Sequence, residues 1–198
     1  MPFTTLKIKY DKCTKCTSLC LSRTQVVFGS GNPKAEVVFI GEAPGATEDK
    51  KGIPFCGMSG KILQELLAAI GLTREDIFIT NTILCHPQDN RNPSKEEVEN
   101  CRERLNQLIE IMQPKVMVTI GNFATERILN QKGITSLRGK IITTKINGKE
   151  IKVVPVIHPA SYLYSGRNPI MFENMKKDFQ TIATVIKETK FQKSLSDF

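Results

Sequence analysis

The sequence lacks the hydrophobic segments that are typical of membrane and secreted proteins. No apolar run among its 198 residues approaches the roughly 20 residues that a membrane-spanning helix needs. Residues 1–7 contain no apolar core of signal-peptide length. Internal repeats and flexible linkers are also absent. We therefore expect one intracellular (cytoplasmic) domain over residues 1–188 with a short tail at 189–198, acting as a monomer without a membrane partner.

Acidic residues are scarce relative to basic ones. The chain has 20 Asp and Glu residues against 28 Lys and Arg residues, which gives a net charge of +8. A basic surplus suits a polyanionic partner such as nucleic acid. Many basic proteins bind no nucleic acid, so the interpretation depends on the motifs.

One stretch organises the chain, residues 37–45, which read VVFIGEAPG. An apolar run bounded by turn residues predicts a strand that is buried on both faces. Gly41 and Gly45 allow a sharp turn and a close approach to a ligand. Glu42 is therefore expected just past the carboxyl end of a parallel strand, where α/β proteins bind substrates. The alternative is an ordinary strand-to-helix loop.

Strands and helices alternate along the chain. Apolar strands are predicted at 37–41, 77–81, 116–121 and 153–157, and helices at 59–70, 94–112, 122–130 and 171–188. Ser94 and Glu97 form a capping box, and Asn147-Gly148 indicates a hairpin between 141–146 and 150–154. The alternation predicts an α/β fold with a mostly parallel sheet that is covered on both faces.

Polar residues meet at one edge of the predicted sheet. Glu42, Asn81 and His158 each follow a strand, and Phe55 lies in a long loop rich in Gly and Pro. Taken singly, Asn81 is a strand-end turn former and His158 a structural histidine. Their shared location favours a functional cleft.

Six cysteines are many for an intracellular chain, where metal or cluster ligation is commoner than disulfides. Cys13 and Cys16 form a C-x-x-C pair, and Cys85 and Cys101 lie far downstream. Zinc and a 4Fe–4S cluster both accept four thiolates, so spacing alone does not distinguish them. Buried free cysteines are the alternative, which is credible for Cys56.

Several separated motifs occur in a familiar order. They are GEAPG at 41–45, ED at 48–49, G-x-PF at 52–55, TN at 80–81, NR-x-P at 90–93 and HP at 158–159. Together they resemble the thermophilic-type iron–sulfur uracil-DNA glycosylases, family 4 of the uracil-DNA glycosylase superfamily, from about Cys13 to the last helix. The resemblance implies a three-layer αβα sandwich around a four-stranded parallel sheet. It also implies a DNA-repair hydrolase that flips uracil out of single- or double-stranded DNA, at the nucleoid, and cleaves its glycosidic bond to leave an abasic site.

The resemblance also implies roles for individual residues. It implies a 4Fe–4S cluster whose ligands are Cys13, Cys16, Cys85 and Cys101, with Cys20 left out. The residues implied to bind uracil are Gly41, Gly45, Glu48, Phe55, Asn81 and His158, and the catalytic residues are Glu42 and His158. The residues implied to bind DNA are Arg91, Pro159, Ala160 and Arg167. Phe55 would stack on the flipped base and Asn81 would read its edge. His158 would donate a hydrogen bond to O2 of the leaving uracil, Glu42 would stabilise the cationic sugar and orient the water, and Glu48 would exclude the methyl group of thymine.

Two positions depart from the expected pattern. Ala43 stands where the best-known branch of the superfamily has an aspartate, so Glu42 is the nearest carboxylate left to serve the attacking water. His86 follows Cys85, where an arginine is expected, so Arg91 is the remaining candidate for phosphate contacts by this loop.

The C-terminal tail contains the pattern Q-x-x-L-x-x-F at Gln192, Leu195 and Phe198. It resembles the short motif by which repair proteins bind the sliding clamp (PCNA). One helical turn would bring Leu195 and Phe198 to the same side, where they could enter a hydrophobic pocket. The motif usually has two consecutive aromatic residues and this tail has one. The alternative is a chance match in a frayed terminus.

Other functions compete with uracil excision. A G-x-G-x-x-G motif is missing after the first strand, which argues against a nucleotide-binding Rossmann-like protein. A base excision enzyme of the same fold that acts on thymine or hypoxanthine would be distinguished by a substrate panel. A non-enzymatic zinc-binding nucleic-acid module would lack iron, visible absorbance and activity on uracil DNA.

Overall fold

The computed structural model describes the backbone of residues 1–196 and the side chains of residues 1–189. The strands are β1 (Ser30–Gly31), β2 (Val37–Gly41), β3 (Phe78–Asn81), β4 (Val116–Ile120), β5 (Ile142–Ile146) and β6 (Lys149–Val156). The helices are α1 (Phe3–Asp11), α2 (Thr17–Ser22), α3 (Ala46–Lys51), α4 (Met58–Ala68), α5 (Lys95–Asn100), α6 (Arg102–Met112), α7 (Gly121–Leu129), α8 (Ile134–Leu137), α9 (Ala160–Tyr164) and α10 (Pro169–Ser196).

The strands form one mixed, six-stranded sheet in the order β1-β3-β2-β4-β6-β5. Neighbouring strands from β3 through β2 and β4 to β6 pair in parallel, whereas β1 and β5 pair antiparallel at the two edges. The predicted α/β class is confirmed. The sheet is larger than the expected four parallel strands because the hairpin at Asn147 and Gly148 returns β5 along β6, and a two-residue strand is added beside β3.

The strand register brings the loops of interest to one edge. Gly41 at the end of β2 lies opposite Asn81 at the end of β3. On the other side of β2, β4 and β6 reach their paired ends at Ile120 and Val156. The chain therefore leaves β2, β3 and β6 at the same edge of the sheet, as expected for parallel strands.

Hydrophobic residues fill both faces of the sheet. Val38 and Ile40 of β2 belong to a core cluster with side chains of α1, α6 and α7. Val37 and Phe39 belong to a second cluster with side chains of α4 and α10. Since successive strand residues point to opposite faces, helices cover the sheet on both sides.

Several predicted helices differ from the structure at their ends. Ser94 caps α5 and Glu97 completes the predicted capping box, but the helix is divided at Cys101 into α5 and α6. The final helix continues to Ser196, past the boundary expected between the domain and the tail. Among residues 1–196, no helix combines the length and the apolarity needed to cross a membrane.

The tail motif falls beyond the described side chains. Those of Gln192 and Leu195, and Phe198 as a whole, lie outside the described residues. The clamp-binding motif therefore stays a prediction.

Candidate active site

A cavity of about 390 Å³ opens where the chain leaves β2, β3 and β6. Most of the predicted site residues line it, namely Glu42, Gly45, Glu48, Phe55, Asn81, Arg91, His158 and Ala160. Gly41, Pro159 and Arg167 are not among the lining residues. Asn90 of the NR-x-P motif also lines the cavity, and so do residues that the sequence analysis did not single out, which include Ser59, Asn92, Ser161 and Tyr164.

Gly41 makes room for two of these side chains. A Cβ atom at this position would lie 2.7 Å from the Phe55 ring and would overlap Asn81 Oδ1. The glycine is therefore required by close packing: it lets Phe55 and Asn81 approach the end of β2 together.

Asn81 is almost completely buried at the end of β3, with 1% of its surface exposed. Its backbone carbonyl accepts a hydrogen bond of 2.6 Å from Arg104 Nη2. Among the described residues, no group donates to Asn81 Oδ1, which is itself buried. A buried acceptor without a partner costs about 1–3 kcal/mol, and a donor on a ligand in the cavity would remove that cost.

Phe55 is held by its backbone as well as by packing. Its φ angle of 51° lies in the left-handed region, which is unfavourable for a bulky residue. Arg74 donates hydrogen bonds to the carbonyl groups of Pro54, at 3.1 Å, and of Phe55. Any side chain at position 60 would overlap the Phe55 carbonyl, so Gly60 lets helix α4 begin directly against this loop.

His158 is positioned as a neutral hydrogen-bond donor. Its Nδ1 atom accepts a hydrogen bond of 3.1 Å from the backbone N–H of Ala160, so the hydrogen of the neutral ring is on Nε2. Burial lowers the pKa of His158 to about 4, and the charge of Glu48 acts weakly in the opposite direction. The ring is therefore neutral at physiological pH, and Nε2–H is its donor.

Glu42 has a fixed backbone and an unpaired carboxylate. Its carbonyl accepts hydrogen bonds from the backbone N–H of Ile83, at 3.2 Å, and from Thr82 Oγ1. Among the described residues, no group forms an ion pair or hydrogen bond with the carboxylate, and partial burial alone raises its pKa. The carboxylate is thus free to act on a ligand in the cavity.

Gly45 and Gly57 define the position of the Glu48 carboxylate. The backbone N–H of Gly57 donates a 2.8 Å hydrogen bond to Glu48 Oε1. A Cβ atom at Gly45 would lie 2.7 Å from Glu48 Oε2. Glu48 is only 8% exposed, so this carboxylate has one defined position at the cavity wall.

The sequence that forms this cavity is similar to those of known proteins. The sequence model of the Uracil DNA glycosylase superfamily matches residues 28–181. A type-4 uracil-DNA glycosylase of Archaeoglobus fulgidus is 43% identical over 191 residues, which is 94% of this chain and 93% of the relative. A type-4 uracil-DNA glycosylase of Thermotoga maritima is 41% identical over 182 residues, which is 91% of this chain and 92% of the relative.

The chain belongs to the uracil DNA glycosylase superfamily. The family predicted from the separated motifs is thereby confirmed. A type-4 uracil-DNA glycosylase of Sulfurisphaera tokodaii, 43% identical over 184 residues, covers 89% of this chain and 82% of its own length. The similarity therefore extends over nearly the whole chain, including the loops that form the cavity.

The residues predicted to contact DNA differ in their positions and in their hydrogen-bond partners. Arg91 lines the cavity, but its guanidinium donates two hydrogen bonds, of 2.9 and 2.6 Å, to Glu97. These bonds lower the pKa of Glu97 to about 2. Pro159 precedes α9, and Arg167 follows it with a φ angle of 61°. A phosphate contact by Arg91 would therefore share the guanidinium with Glu97.

His86 takes part in packing around the cavity. Its Nδ1 atom lies 2.9 Å from the carbonyl oxygen of Pro44. It therefore joins the loop after β3 to the loop that carries Glu42.

The cysteines expected as cluster ligands lie in one region of the glycosylase-like fold. Cys85 and Cys101 are buried in the core cluster that covers the α1 and α6 face of the sheet, and Cys13 and Cys16 pack against the same cluster. All are free thiols. Among the described residues, no three His, Cys, Asp or Glu side chains are close enough to hold a single metal ion.

The side chains around these thiols suit sulfur atoms that carry negative charge. Arg23 donates a 3.0 Å hydrogen bond to Cys85 Sγ, and Asn100 donates a 3.5 Å hydrogen bond to Cys16 Sγ. Burial raises the pKa of Cys85 to about 11, while Arg23 acts to lower it. Such burial favours the neutral thiol unless a cationic metal centre binds the thiolate.

Two orphaned polar atoms border the same cysteines. Tyr10 Oη and Arg104 Nε are buried without a hydrogen-bond partner among the described residues. Tyr10 lies within electrostatic reach of Cys13, and Arg104 beside Cys101 and Cys85. Hydrogen-bond donors around four thiols are the environment expected for an iron–sulfur cluster, so the donor set fits that group.

Two arginines that the sequence analysis missed support the cavity, Arg74 and Arg104. A signal for Arg104 exists: together with Cys101, Leu105 and Leu108 it follows the i, i+3, i+4, i+7 spacing of one helical face. A charged residue inside such a stripe indicates a specific buried contact. No comparable signal marks Arg74, which precedes β3 in a polar loop.

Proposed function

We propose that this chain is a uracil-DNA glycosylase, which flips uracil out of DNA and hydrolyses its N-glycosidic bond to leave an abasic site. The observation that carries the proposal is the buried, unpaired Oδ1 atom of Asn81 in the cavity that Phe55 and His158 also line. A relative with this name aligns over 94% of the chain. Extrusion of a base from the stack costs a few kcal/mol, which a preformed cavity offsets.

Uracil is recognised by stacking and by its edge. The Phe55 ring supplies a flat apolar surface for the pyrimidine. Asn81 donates from its side-chain amide to O4 and accepts from N3–H. Cytosine carries an amino group and an unprotonated ring nitrogen at these positions, so it would oppose both bonds. Mismatches in a desolvated site discriminate strongly between substrates.

Bond cleavage is assisted by electrostatics. Negative charge develops on O2 as uracil leaves, and the Nε2–H of neutral His158 donates a hydrogen bond there. The sugar becomes cationic, and the unpaired carboxylate of Glu42 stabilises it and orients the water that attacks. Glu48 lies beside C5 and excludes the thymine methyl group. Ala43 has no carboxylate that could replace Glu42.

The four cysteines Cys13, Cys16, Cys85 and Cys101 would hold a 4Fe–4S cluster. All four lie in or against one hydrophobic core cluster, and a 4Fe–4S cluster is held by four cysteine thiolates. When bound, the cluster supplies structural cross-linking of the N-terminal arm to the sheet and to α6. Cys20, which donates to the Cys13 carbonyl at 3.6 Å, is left outside the ligand set.

The proposed partners are uracil-containing DNA and the sliding clamp. Residues 1–188 form the glycosylase domain in this proposal, around the parallel strands β3, β2, β4 and β6 and between two helical layers. Residues 189–198 carry the clamp motif at Gln192, Leu195 and Phe198. The net charge of +8 favours binding to a polyanion.

The proposal is tested with the purified iron-containing protein on matched oligonucleotides. Each carries uracil, thymine, hypoxanthine or cytosine at one position, in single- and double-stranded form, and alkaline cleavage reports abasic sites. We expect excision of uracil alone. Equal excision of thymine or hypoxanthine would assign a different base excision activity, and no excision from any substrate by iron-loaded protein would contradict the proposal.

A further inference from the structure

Arg104 is a fully buried cation in the first turn of α6. Its guanidinium donates to three successive residues at the end of β3. Nη1 lies 3.1 Å from Thr80 Oγ1, and Nη2 lies 2.6 Å from the Asn81 carbonyl and 3.1 Å from the Thr82 carbonyl. One side chain therefore fixes the strand end that carries the asparagine of the cavity.

The charge of Arg104 has an unusual environment. Among the described residues, no carboxylate forms an ion pair with it. A buried cation without an anion nearby is strongly unfavourable. The groups beside it are the Cys101 and Cys85 thiols and the hydroxyl of Tyr10. The oxygen acceptors at the end of β3 therefore offset the cost of burying this charge.

The position of Arg104 in the sequence also links the end of β3 to the remote cysteines. Cys101 is the residue directly before α6, and Arg104 follows one helical turn later. Cys85 lies four residues beyond Asn81 on the loop that leaves β3. The two elements that bear the remote cysteines are thus the two elements that Arg104 joins.

We propose that Arg104 is a positioning residue that links the cysteine site to base recognition: its guanidinium lies beside Cys85 and Cys101 and holds the backbone of Asn81 in place. This inference rests on the proposed function and on the proposed cluster. Arg104 touches no substrate, so its effect on uracil is exerted through the backbone of Asn81. Loss of the guanidinium would release the end of β3 and with it the orientation of the Asn81 amide.

The test compares Arg104→Met, Arg104→Lys and a matched control, Arg127→Met. Methionine keeps an apolar stem but removes the guanidinium with its charge and donors. Lysine keeps the charge on a single nitrogen and lacks the planar fork that reaches Thr80, Asn81 and Thr82 together. Arg127, in α7, also contacts α6, through the Arg102 carbonyl and Asn106, so its replacement removes a cation packed against the same helix without touching β3.

Two readouts separate the parts of the proposal. In single-turnover assays at saturating DNA, Arg104→Met and Arg104→Lys should each slow uracil excision by up to about 100-fold, as misplacement of a binding group does, with binding to uracil-free DNA unchanged. Iron release to a chelator, followed by visible absorbance, should be faster in Arg104→Met and near wild type in Arg104→Lys. Arg127→Met should match the wild type in both assays.

Several outcomes would overturn the inference. Wild-type excision by folded Arg104→Met, with only a lower melting temperature, would show a purely structural role. If Arg104→Met does not fold, wild-type excision by Arg104→Lys overturns the positioning role by itself, and slow excision with normal iron retention supports it. Failure of the wild-type protein to excise uracil would contradict the proposed function instead, and the iron-release comparison would still decide whether Arg104 affects the cysteine site.

Discussion

The rings of Phe55 and His158 lie with their centroids 5.6 Å apart and their planes inclined by 30°. This separation is too small for a base to enter between them as a third layer, since stacked aromatic rings already lie about 4.5–7 Å apart. A pyrimidine that stacks on Phe55 would therefore meet His158 at its edge. The relationship suits a hydrogen bond from His158 Nε2 to an exocyclic oxygen of the base.

Replacement of either group at the reaction centre should affect rate more than binding. We expect His158→Ala and Glu42→Ala each to lower the single-turnover rate by about 10²–10³-fold, the usual loss for one preorganised electrostatic contact, with a small loss of DNA affinity. Interactions made only in the transition state change the rate constant. A variant that binds DNA weakly and keeps its rate would show that the role is wrong.

The base-reading role of Asn81 is tested by Asn81→Asp. A carboxylate cannot donate to O4 of uracil, but it can accept from the amino group of cytosine. We expect uracil excision to fall and the ratio of cytosine to uracil excision to rise, measured on matched oligonucleotides. Full uracil activity in this variant is incompatible with base reading by Asn81.

The dependence of rate on pH should reflect Glu42 and not His158. Because the pKa of His158 is about 4, the ring stays neutral and donating from pH 8 to below pH 5. Because the pKa of Glu42 is raised, activity should fall at a higher pH than the one at which an ordinary glutamate becomes protonated. Single-turnover rates between pH 5 and pH 8 should show this acid limb in the wild type. The limb should be absent from the residual activity of Glu42→Gln.

The same histidine makes folding stability depend on pH. Its pKa is depressed from 6.5 to about 4 on folding, so the unfolded chain binds the proton first as pH falls. The stabilisation is complete above pH 6.5 and is lost toward pH 4, by roughly 3 kcal/mol for a shift of this size. The free energy of unfolding, measured with urea at several pH values, should rise more steeply with pH in the wild type than in His158→Gln within that window. Parallel curves would contradict the buried neutral state.

The parts of the fold that follow local rules could be predicted from the sequence. The apolar run before Glu42, the capping box at Ser94 and the hairpin at Asn147 all involve neighbouring residues, and the structure confirms each of them. The edge strand β1 could not be predicted because two residues carry no periodicity, and its pairing with β3 depends on tertiary contacts.

The candidate site also has features that the sequence predicts and features that it does not. Parallel strands must deliver Glu42 and Asn81 to one edge, so their meeting follows from the topology. The pairing of Arg91 with Glu97 and the burial of Arg104 could not be predicted, because an arginine reads as a surface residue or a phosphate ligand until its neighbours in space are known. The chemical roles of the site residues stay predictions.

The ligand assignment predicts unequal effects of cysteine replacement. Cys85→Ser or Cys101→Ser should abolish the visible absorbance and destabilise the fold, because metal binding is coupled to folding. Cys20→Ser and Cys56→Ser are the matched controls and should retain iron and melting temperature. Loss of iron from Cys20→Ser alone would overturn the ligand set.

The tail should bind the sliding clamp independently of catalysis. A fusion of residues 190–198 to an inert carrier is expected to bind the clamp, with modest affinity because the motif has a single aromatic residue. Leu195→Ala combined with Phe198→Ala should abolish binding and leave excision from naked DNA unchanged. Undiminished binding of the clamp by the double variant would show that another surface docks.

The backbone around Phe55 has a consequence for kinetics. Arg74 and Gly60 fix Phe55 in the left-handed region before any DNA is present, so the entropy of ordering this residue is lost during folding and not at the moment of encounter. Capture of the base then needs no loop closure. The slow step before chemistry should be the opening of the base pair itself, so a uracil in an unpaired strand should enter the cavity faster than one in a duplex.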